Sequence, residues 1–523
     1  MESVDNKRGR TRSRGQRAKH AITLERYSID DLQDLIETRP RLELSAQVAE
    51  KIDSCSRFVE RKAQEDVHIY GTNTGFGSLC ETRVEASEME QLQHNHILSH
   101  ACGVGEPVAE DIARLTLLNK LLTFRSGHTG IALSTVNRLL DFWNQEAIPV
   151  IPKKGSVGAS GDLAPLAHMS LPLLGLGRFH HRGAIVEAGP VLEEMGWPPV
   201  RLKPKEGLAL TNGVQYISAI GAHSLKRLDT LIKCADLILA MTIQAFSCSR
   251  TFYQAILHET SCHPQRRDVA ANLRKVLEGS NHFDLPNCNK SRQDPYSLRC
   301  APQVHGAVRQ AFGHAMEVIE NECNGVSDNP LFFPDHDEFL SGGNLHGEST
   351  AMTLDYLAIA AAELASISER RTYLLLSGQR QLPDFLVKHS GLNSGFMVAQ
   401  YTSAALVNEN KVLSTPASVD TIPTCQLQED HVSMGGTSAY KLQQIIENLE
   451  IVLAIELMTA AQAIDFNRSQ GLRLSPATQA IHDRFRKQVD SLENDRVLSD
   501  DIRTSTDFLL ANGKSWTKEL SLA

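Results

Sequence analysis

The sequence predicts a mainly α-helical fold, a long central helical bundle with a smaller mixed N-terminal region that carries active-site loops. Three observations predict it. Apolar residues recur at three- and four-residue spacing through five long segments, 221–246, 302–323, 349–376, 393–410 and 438–464, as in Leu354, Leu357, Ala361 and Leu364 or Leu442, Ile446, Leu449 and Val452. Period-two alternation is short and local, at 178–186 and 331–340. A chain of 523 residues that is 41% apolar is long enough to bury a large core around such helices.

In chain order, the first element is a basic arm, Lys7 to Lys19, with almost nothing apolar to pack; residues 1–22 are expected to be disordered. Residues 23–215 form the mixed region, with helical periodicity at 44–65 and 109–143 and, between them, Ile69-Tyr70-Gly71-Thr72-Asn73-Thr74-Gly75-Phe76-Gly77, a turn-rich loop with three glycines. Residues 216–523 form the bundle, whose connecting loops carry the chemistry.

Composition bounds the function. A formal net charge of −9 argues against nucleic acid as the main partner and fits an enzyme acting on a small ligand. The best membrane candidate, 445–464, is interrupted by Glu447, Glu450 and Glu456, so no membrane insertion is expected. Ten scattered cysteines without a C-x-x-C pair, and no signal-peptide pattern, read as reduced thiols of a cytoplasmic protein. The histidines lack a second ligand pair at zinc spacing and there is no H-E-x-x-H, so no metal is expected.

The most informative stretch is 155–168, Gly-Ser-Val-Gly-Ala-Ser-Gly-Asp-Leu-Ala-Pro-Leu-Ala-His. If the Gly161 nitrogen attacks the Ala159 carbonyl and two waters leave, the backbone closes into a methylidene-imidazolone ring whose exocyclic methylene comes from Ser160. Gly161 lacks a Cβ to hinder that approach, Ala159 keeps the ring uncrowded, and Ser160 supplies the departing hydroxyl. Side chains are otherwise nucleophiles, acids and bases, so such a ring adds an electrophile. Alone, Ser160-Gly161-Asp162 before an apolar run would read as a helix start, with Ser160 as N-cap and Asp162 complementing the first-turn dipole.

The full stretch, however, resembles the prosthetic-group motif of the aromatic amino acid ammonia-lyases and aminomutases. Six further segments resemble the same family in chain order: the Tyr70 loop; Ser99-His100-Ala101-Cys102-Gly103; 206–213, ending in Thr211-Asn212-Gly213; Gln293-Asp294-Pro295-Tyr296-Ser297-Leu298-Arg299-Cys300 with Pro302-Gln303; Gly342-Gly343-Asn344-Leu345-His346-Gly347; and Gln428-Glu429-Asp430-His431-Val432-Ser433-Met434. The resemblance implies a cofactor made from Ala159, Ser160 and Gly161 and a small amino acid substrate. It also implies a homotetramer whose sites are shared between copies.

Eliminating ammonia from an α-amino acid requires removal of a weakly acidic β-proton and departure of a poor leaving group. An electrophile at Ser160 that captures the amine answers the second need. Tyr70 resembles the family's base. A phenol of pKa about 10 is only about 1% ionised at pH 8, a cost of roughly 2.7 kcal/mol unless its surroundings lower that pKa. Arg299 can grip the substrate carboxylate by a bidentate pair. Asn212 and Tyr296 resemble residues that hydrogen-bond around the ring and the amine, and Gln293 a supporting contact.

Substrate choice rests on His100, Leu345 and above all Glu429. Tyrosine and phenylalanine lyases carry an amide where this chain has Glu429, and Gln428-Glu429-Asp430-His431 is similar to the run of histidine ammonia-lyases. A carboxylate suits an imidazole N–H, whereas against a benzene ring it would be desolvated without compensation. The resemblance thus implies conversion of L-histidine to trans-urocanate and ammonia. Alternatives are a tyrosine or phenylalanine lyase or an aminomutase, and, more remotely, a non-catalytic helical scaffold. Leu345 departs from the family's usual Phe, Val214 from Thr, and His263-Pro264-Gln265-Arg266 from His-Pro-Gly-Gln.

Overall fold

A computed structural model describes residues 17–65, 67–286, 288 and 293–523. Most of the expected basic arm lies outside the described residues, but its last part does not behave as an arm. Lys19–Ile22 is a strand paired in parallel with Arg41–Leu44, and Ile22 is fully buried. One buried apolar side chain and a partner strand 22 residues along the chain suffice to order it.

The helices that position the site are α1 (Met89–His100), α2 (Glu110–Phe124), α3 (Leu163–Ser170), α4 (Glu206–Thr211), α5 (Gln215–Ala245), α6 (Ala301–Asn324), α7 (Glu348–Leu375), α8 (Met397–Leu413), α9 (Gly435–Arg468) and α10 (Leu498–Glu519). The single helix expected over 109–143 is two, α2 and Leu133–Asn144, because Gly127 and Gly130 between them take positive φ. Strands are confined to small pairs and one three-stranded sheet, including the expected 178–186 and 331–340 hairpins.

The main core cluster runs from Ile22 to Leu522, so the N-terminal region and the bundle share it, and a small separate cluster of Ala159, Val432 and Met434 lies at the prosthetic-group motif. At its centre, residues 452–464 of α9 are buried on every side, packed among α5, α7, α8 and α10; a helix buried all round must be apolar all round. Each fully buried Leu or Ile there contributes roughly 1.5–3 kcal/mol. Glu456 breaks that rule and is compensated. Arg371 of α7 grips both carboxylate oxygens, at 2.6 and 2.7 Å, and the Ser368 and Thr242 hydroxyls donate at 2.6 and 2.8 Å. Among the described helices, α7 alone has a window long and apolar enough to cross a membrane, and 67% of that window is buried inside the bundle.

Candidate active site

Four loops meet at a cavity of about 430 Å³ lined by Tyr70, Ala159, Ser160, Leu345, His346 and Glu429, among others. A larger groove of about 590 Å³ between α7 and α8 holds none of the residues expected in a site.

The 155–162 loop owes its shape to three glycines with positive φ, Gly155, Gly158 and Gly161. Gly161 has a φ of +77°, and a Cβ there would collide with the Gly213 carbonyl. That contact is a clasp. The Gly213 N–H donates to the Ser160 carbonyl at 3.2 Å, and the Asp162 N–H donates to the Gly213 carbonyl at 2.7 Å. Ser160 is not a helix N-cap; α3 begins after Asp162, whose carboxylate turns away and accepts the Tyr216 and Ile217 N–H groups at the N-terminus of α5, at 3.1 and 3.0 Å, and the Ser156 hydroxyl at 3.1 Å. Burial pushes Asp162 up to about 7 against those hydrogen bonds. The clasp has its own support. Lys120 donates to the Asn212 carbonyl at 2.5 Å, burial holding its pKa down to about 7. Asn212 donates to Asp328 and the Asn329 carbonyl, and Asp328 is paired with buried Lys205 at 2.9 Å.

These residues fit a ring closed from Ala159, Ser160 and Gly161. The Gly161 nitrogen is held in a backbone that only glycine can occupy, and the neighbouring Asn212 keeps a buried side-chain oxygen without a partner.

Opposite Ser160 stands Glu429. The Ser160 hydroxyl donates to one carboxylate oxygen at 2.9 Å and the Thr424 hydroxyl to the other at 2.7 Å. Glu429 follows Cys425, Gln426 and Leu427, three consecutive non-glycine residues with positive φ, closed by backbone hydrogen bonds between Thr424 and Glu429. A left-handed non-glycine residue costs on the order of 1 kcal/mol or more, so this turn is held by its surroundings. Thr424 gave no sequence signal; only the folded turn brings its hydroxyl to Glu429.

Tyr70 lines the same cavity and its hydroxyl accepts the Gly77 N–H at 2.9 Å. Burial raises its pKa, the Gly77 hydrogen bond opposes this, and the nearby Glu429 charge adds to the rise. Within this chain, then, Tyr70 is not activated as a base. His100, on the last turn of α1, stacks on His96 at 3.9 Å between centroids; burial lowers its pKa while the His96 carbonyl and Glu429 oppose.

The structure does not bring Gln293, Tyr296 and Arg299 into this cavity. Arg299 lies just before α6, while Ser327 and Asp328, which touch the Asn212–Gly213 turn, lie just after it. A helix of 24 residues is about 36 Å long, so the clamp and Ser160 are at opposite ends of it. Arg299 stacks on Tyr296 at 4.4 Å and its Nε donates to the Asp294 carbonyl at 3.0 Å; its terminal nitrogens have no partner among the described residues. Gln293 is exposed and Tyr296 is 71% exposed.

A match to the aromatic amino acid lyase family spans residues 27–487. The chain belongs to the aromatic amino acid lyase family. This lyase is 46% identical over 475 residues to the histidine ammonia-lyase of Symbiobacterium thermophilum, covering 91% of this chain and 93% of the relative. Among solved structures it is similar to the histidine ammonia-lyase from Trypanosoma cruzi, with a TM-score of 0.87, 38% identity and 96% and 95% of the two chains covered. It is also similar to the tyrosine aminomutase from Streptomyces globisporus, with a TM-score of 0.89, 34% identity and 95% and 98% covered. The lyase's mainly α-helical fold is that of these relatives.

Proposed function

We propose that this lyase is a histidine ammonia-lyase, converting L-histidine to trans-urocanate and ammonia, in a cytoplasmic homotetramer with shared active sites. The observation that carries the substrate is Glu429, a carboxylate fixed by Thr424 and set 2.9 Å from the Ser160 hydroxyl in a cavity large enough for an amino acid. Relatives of the same name at 46% identity over most of the chain support it.

A methylidene-imidazolone ring closed from Ala159, Ser160 and Gly161 supplies the electrophile that turns the substrate amine into a leaving group. The chain's own residues do the rest. Glu429 accepts the imidazole N–H and orients the ring, with His100 and Leu345 bounding it. Tyr70 removes the β-proton. Asn212 hydrogen-bonds beside the ring and Tyr296 beside the amine. Arg299 holds the carboxylate and Gln293 supports it, both from a neighbouring copy. The arrival of that arginine gives Tyr70 a cation that favours its ionised form. Exposed apolar side chains at helical spacing on α7, Met352, Tyr356 and Ile359, with Val398 and Tyr401 on α8, give the bundle a face for neighbouring copies.

Two measurements test the reading. Intact mass should be two waters below the sequence mass, with the loss localised to residues 159–161; an unmodified mass in freshly folded protein would refute the ring. Incubation with L-histidine, L-tyrosine and L-phenylalanine should release ammonia from L-histidine with the absorbance of urocanate. A β-amino acid product would instead make the protein an aminomutase.

A further inference from the structure

We propose that His346, Glu348 and His431 form a binding site for a divalent transition-metal cation of the zinc class at the rim of the Ser160 cavity. His346 and His431 line that cavity. One ligand atom from each of the three side chains lies within 4.8 Å of the other two. His346 and Glu348 flank the start of α7, while His431 comes from the loop that carries Glu429, so no sequence spacing announces the group.

The spacing of the two imidazoles is the strongest argument. His346 Nε2 and His431 Nδ1 are 3.4 Å apart, with the rings stacked at an interplanar angle of 28°. Two nitrogens bound to one zinc at 2.0–2.1 Å with a tetrahedral angle are about 3.3–3.4 Å apart. The spacing of the two nitrogens is therefore that of two imidazoles on one cation. As a hydrogen bond the same distance is at the outer limit, and the alternative partner of His346 Nε2, the His431 carbonyl, is 3.3 Å away.

Glu348 adds charge where it lacks a partner. Its Oε2 is buried and receives no hydrogen bond from the protein. A desolvated carboxylate oxygen without a donor is costly, and a cation held by the two imidazoles removes that cost. Two histidines and one carboxylate select zinc, cobalt, nickel or copper over magnesium or calcium, which prefer all-oxygen shells. The remaining coordination positions are left to water or to a ligand entering from the cavity. A bound cation ties the Leu345 loop to the Glu429 loop at the cavity mouth.

The site is independent of the reaction assigned above, so its test uses metal and not turnover. The full chain, prepared without a metal-affinity tag and stripped with chelator, is dialysed against micromolar Zn²⁺ and its zinc counted per chain. It is then loaded with Co²⁺, whose spectrum distinguishes nitrogen and oxygen ligands from the thiolates of the ten free cysteines. We expect about one zinc per chain, weak visible cobalt bands without thiolate charge transfer, and a rise in Tm with Zn²⁺. Glu348→Gln should weaken binding at least tenfold, and His346→Gln with His431→Gln should abolish both the stoichiometric zinc and the Tm rise. His431→Ala, at an exposed position, keeps the test valid should the double variant misfold. No zinc at micromolar concentration, zinc unchanged in the histidine variants, or a thiolate signature would each overturn the proposal.

Discussion

The two ends of α6 present opposite kinds of surface. At its C-terminal end, Ser160, Asn212, Gly213, Asp162 and Asp328 are joined by hydrogen bonds and a buried Lys205–Asp328 pair, and the Thr424 hydroxyl holds Glu429. At its N-terminal end, Tyr296 is 71% exposed and the Arg299 fork has no partner among the described residues. One end is a finished half-site; the other is a clamp with nothing to hold. The proposed sharing of sites between copies would account for this division: among the described residues, the cavity lined by Ser160 and the Arg299 cation lie some 36 Å apart along one helix.

The largest effect comes from breaking the two ends separately. Ser160→Ala removes the source of the electrophile and Arg299→Met the carboxylate clamp, so each variant alone should be nearly inactive. Co-folded in equal amounts, they should place both intact parts together in about one-quarter of sites, because two independent choices must each fall the right way. Co-folded mixtures as inactive as either parent, with mixed oligomers confirmed by tagging, would mean that one chain supplies both residues.

Next in size is the selectivity of the finished half-site. Glu429→Gln should lower kcat/KM for L-histidine by about 10- to 150-fold, the loss of a charge-assisted hydrogen bond of roughly 1.5–3 kcal/mol, with Tm little changed. Unaltered histidine kinetics would transfer substrate choice to other residues.

A smaller effect isolates positioning from contact. Thr424→Val keeps the shape of the side chain but removes the hydroxyl that holds Glu429, and should raise KM for L-histidine about fivefold, near 1 kcal/mol, while Thr424→Ser keeps wild-type values. If valine and serine behave alike, the turn alone holds the carboxylate.

The smallest effect is a shift along the pH axis. The proposed base Tyr70 would act only when ionised and its pKa in this chain is raised, so kcat/KM should climb with pH through the neutral range. Because the Glu429 charge is one cause of the rise, Glu429→Gln should move that rising limb to lower pH on the remaining activity. A limb that stays in place would uncouple Tyr70 from Glu429. Arg299→Met should move it the other way, since the cation from the neighbouring copy favours the phenolate.

Much of this was legible in the residues. The bundle helices follow from period-3.6 apolar spacing, and four of the five long segments lie within a few residues of the helices observed, α5 starting at Gln215 being the exception. Tyr70, Ala159, Ser160, Leu345 and Glu429, singled out from their motifs, line one cavity. Misreadings arose where a local pattern meets a distant partner. Ser160-Gly161-Asp162 looks like a helix cap, yet Asp162 is taken by the N-terminus of another helix. The end of the basic arm looks unstructured, yet pairs with Arg41–Leu44.

By itself the sequence determined the helical architecture and membership of the lyase family, because periodicity and motifs are properties of neighbouring residues. Tertiary structure alone decided what depends on distance through space. It closed the Gly213 clasp over Gly161, aimed the Thr424 hydroxyl at Glu429, and brought His346 to 3.4 Å from His431 across 85 residues of chain. It also set Arg299 a full helix away from Ser160, since a rigid rod of 24 residues cannot fold back on itself to join its own two ends.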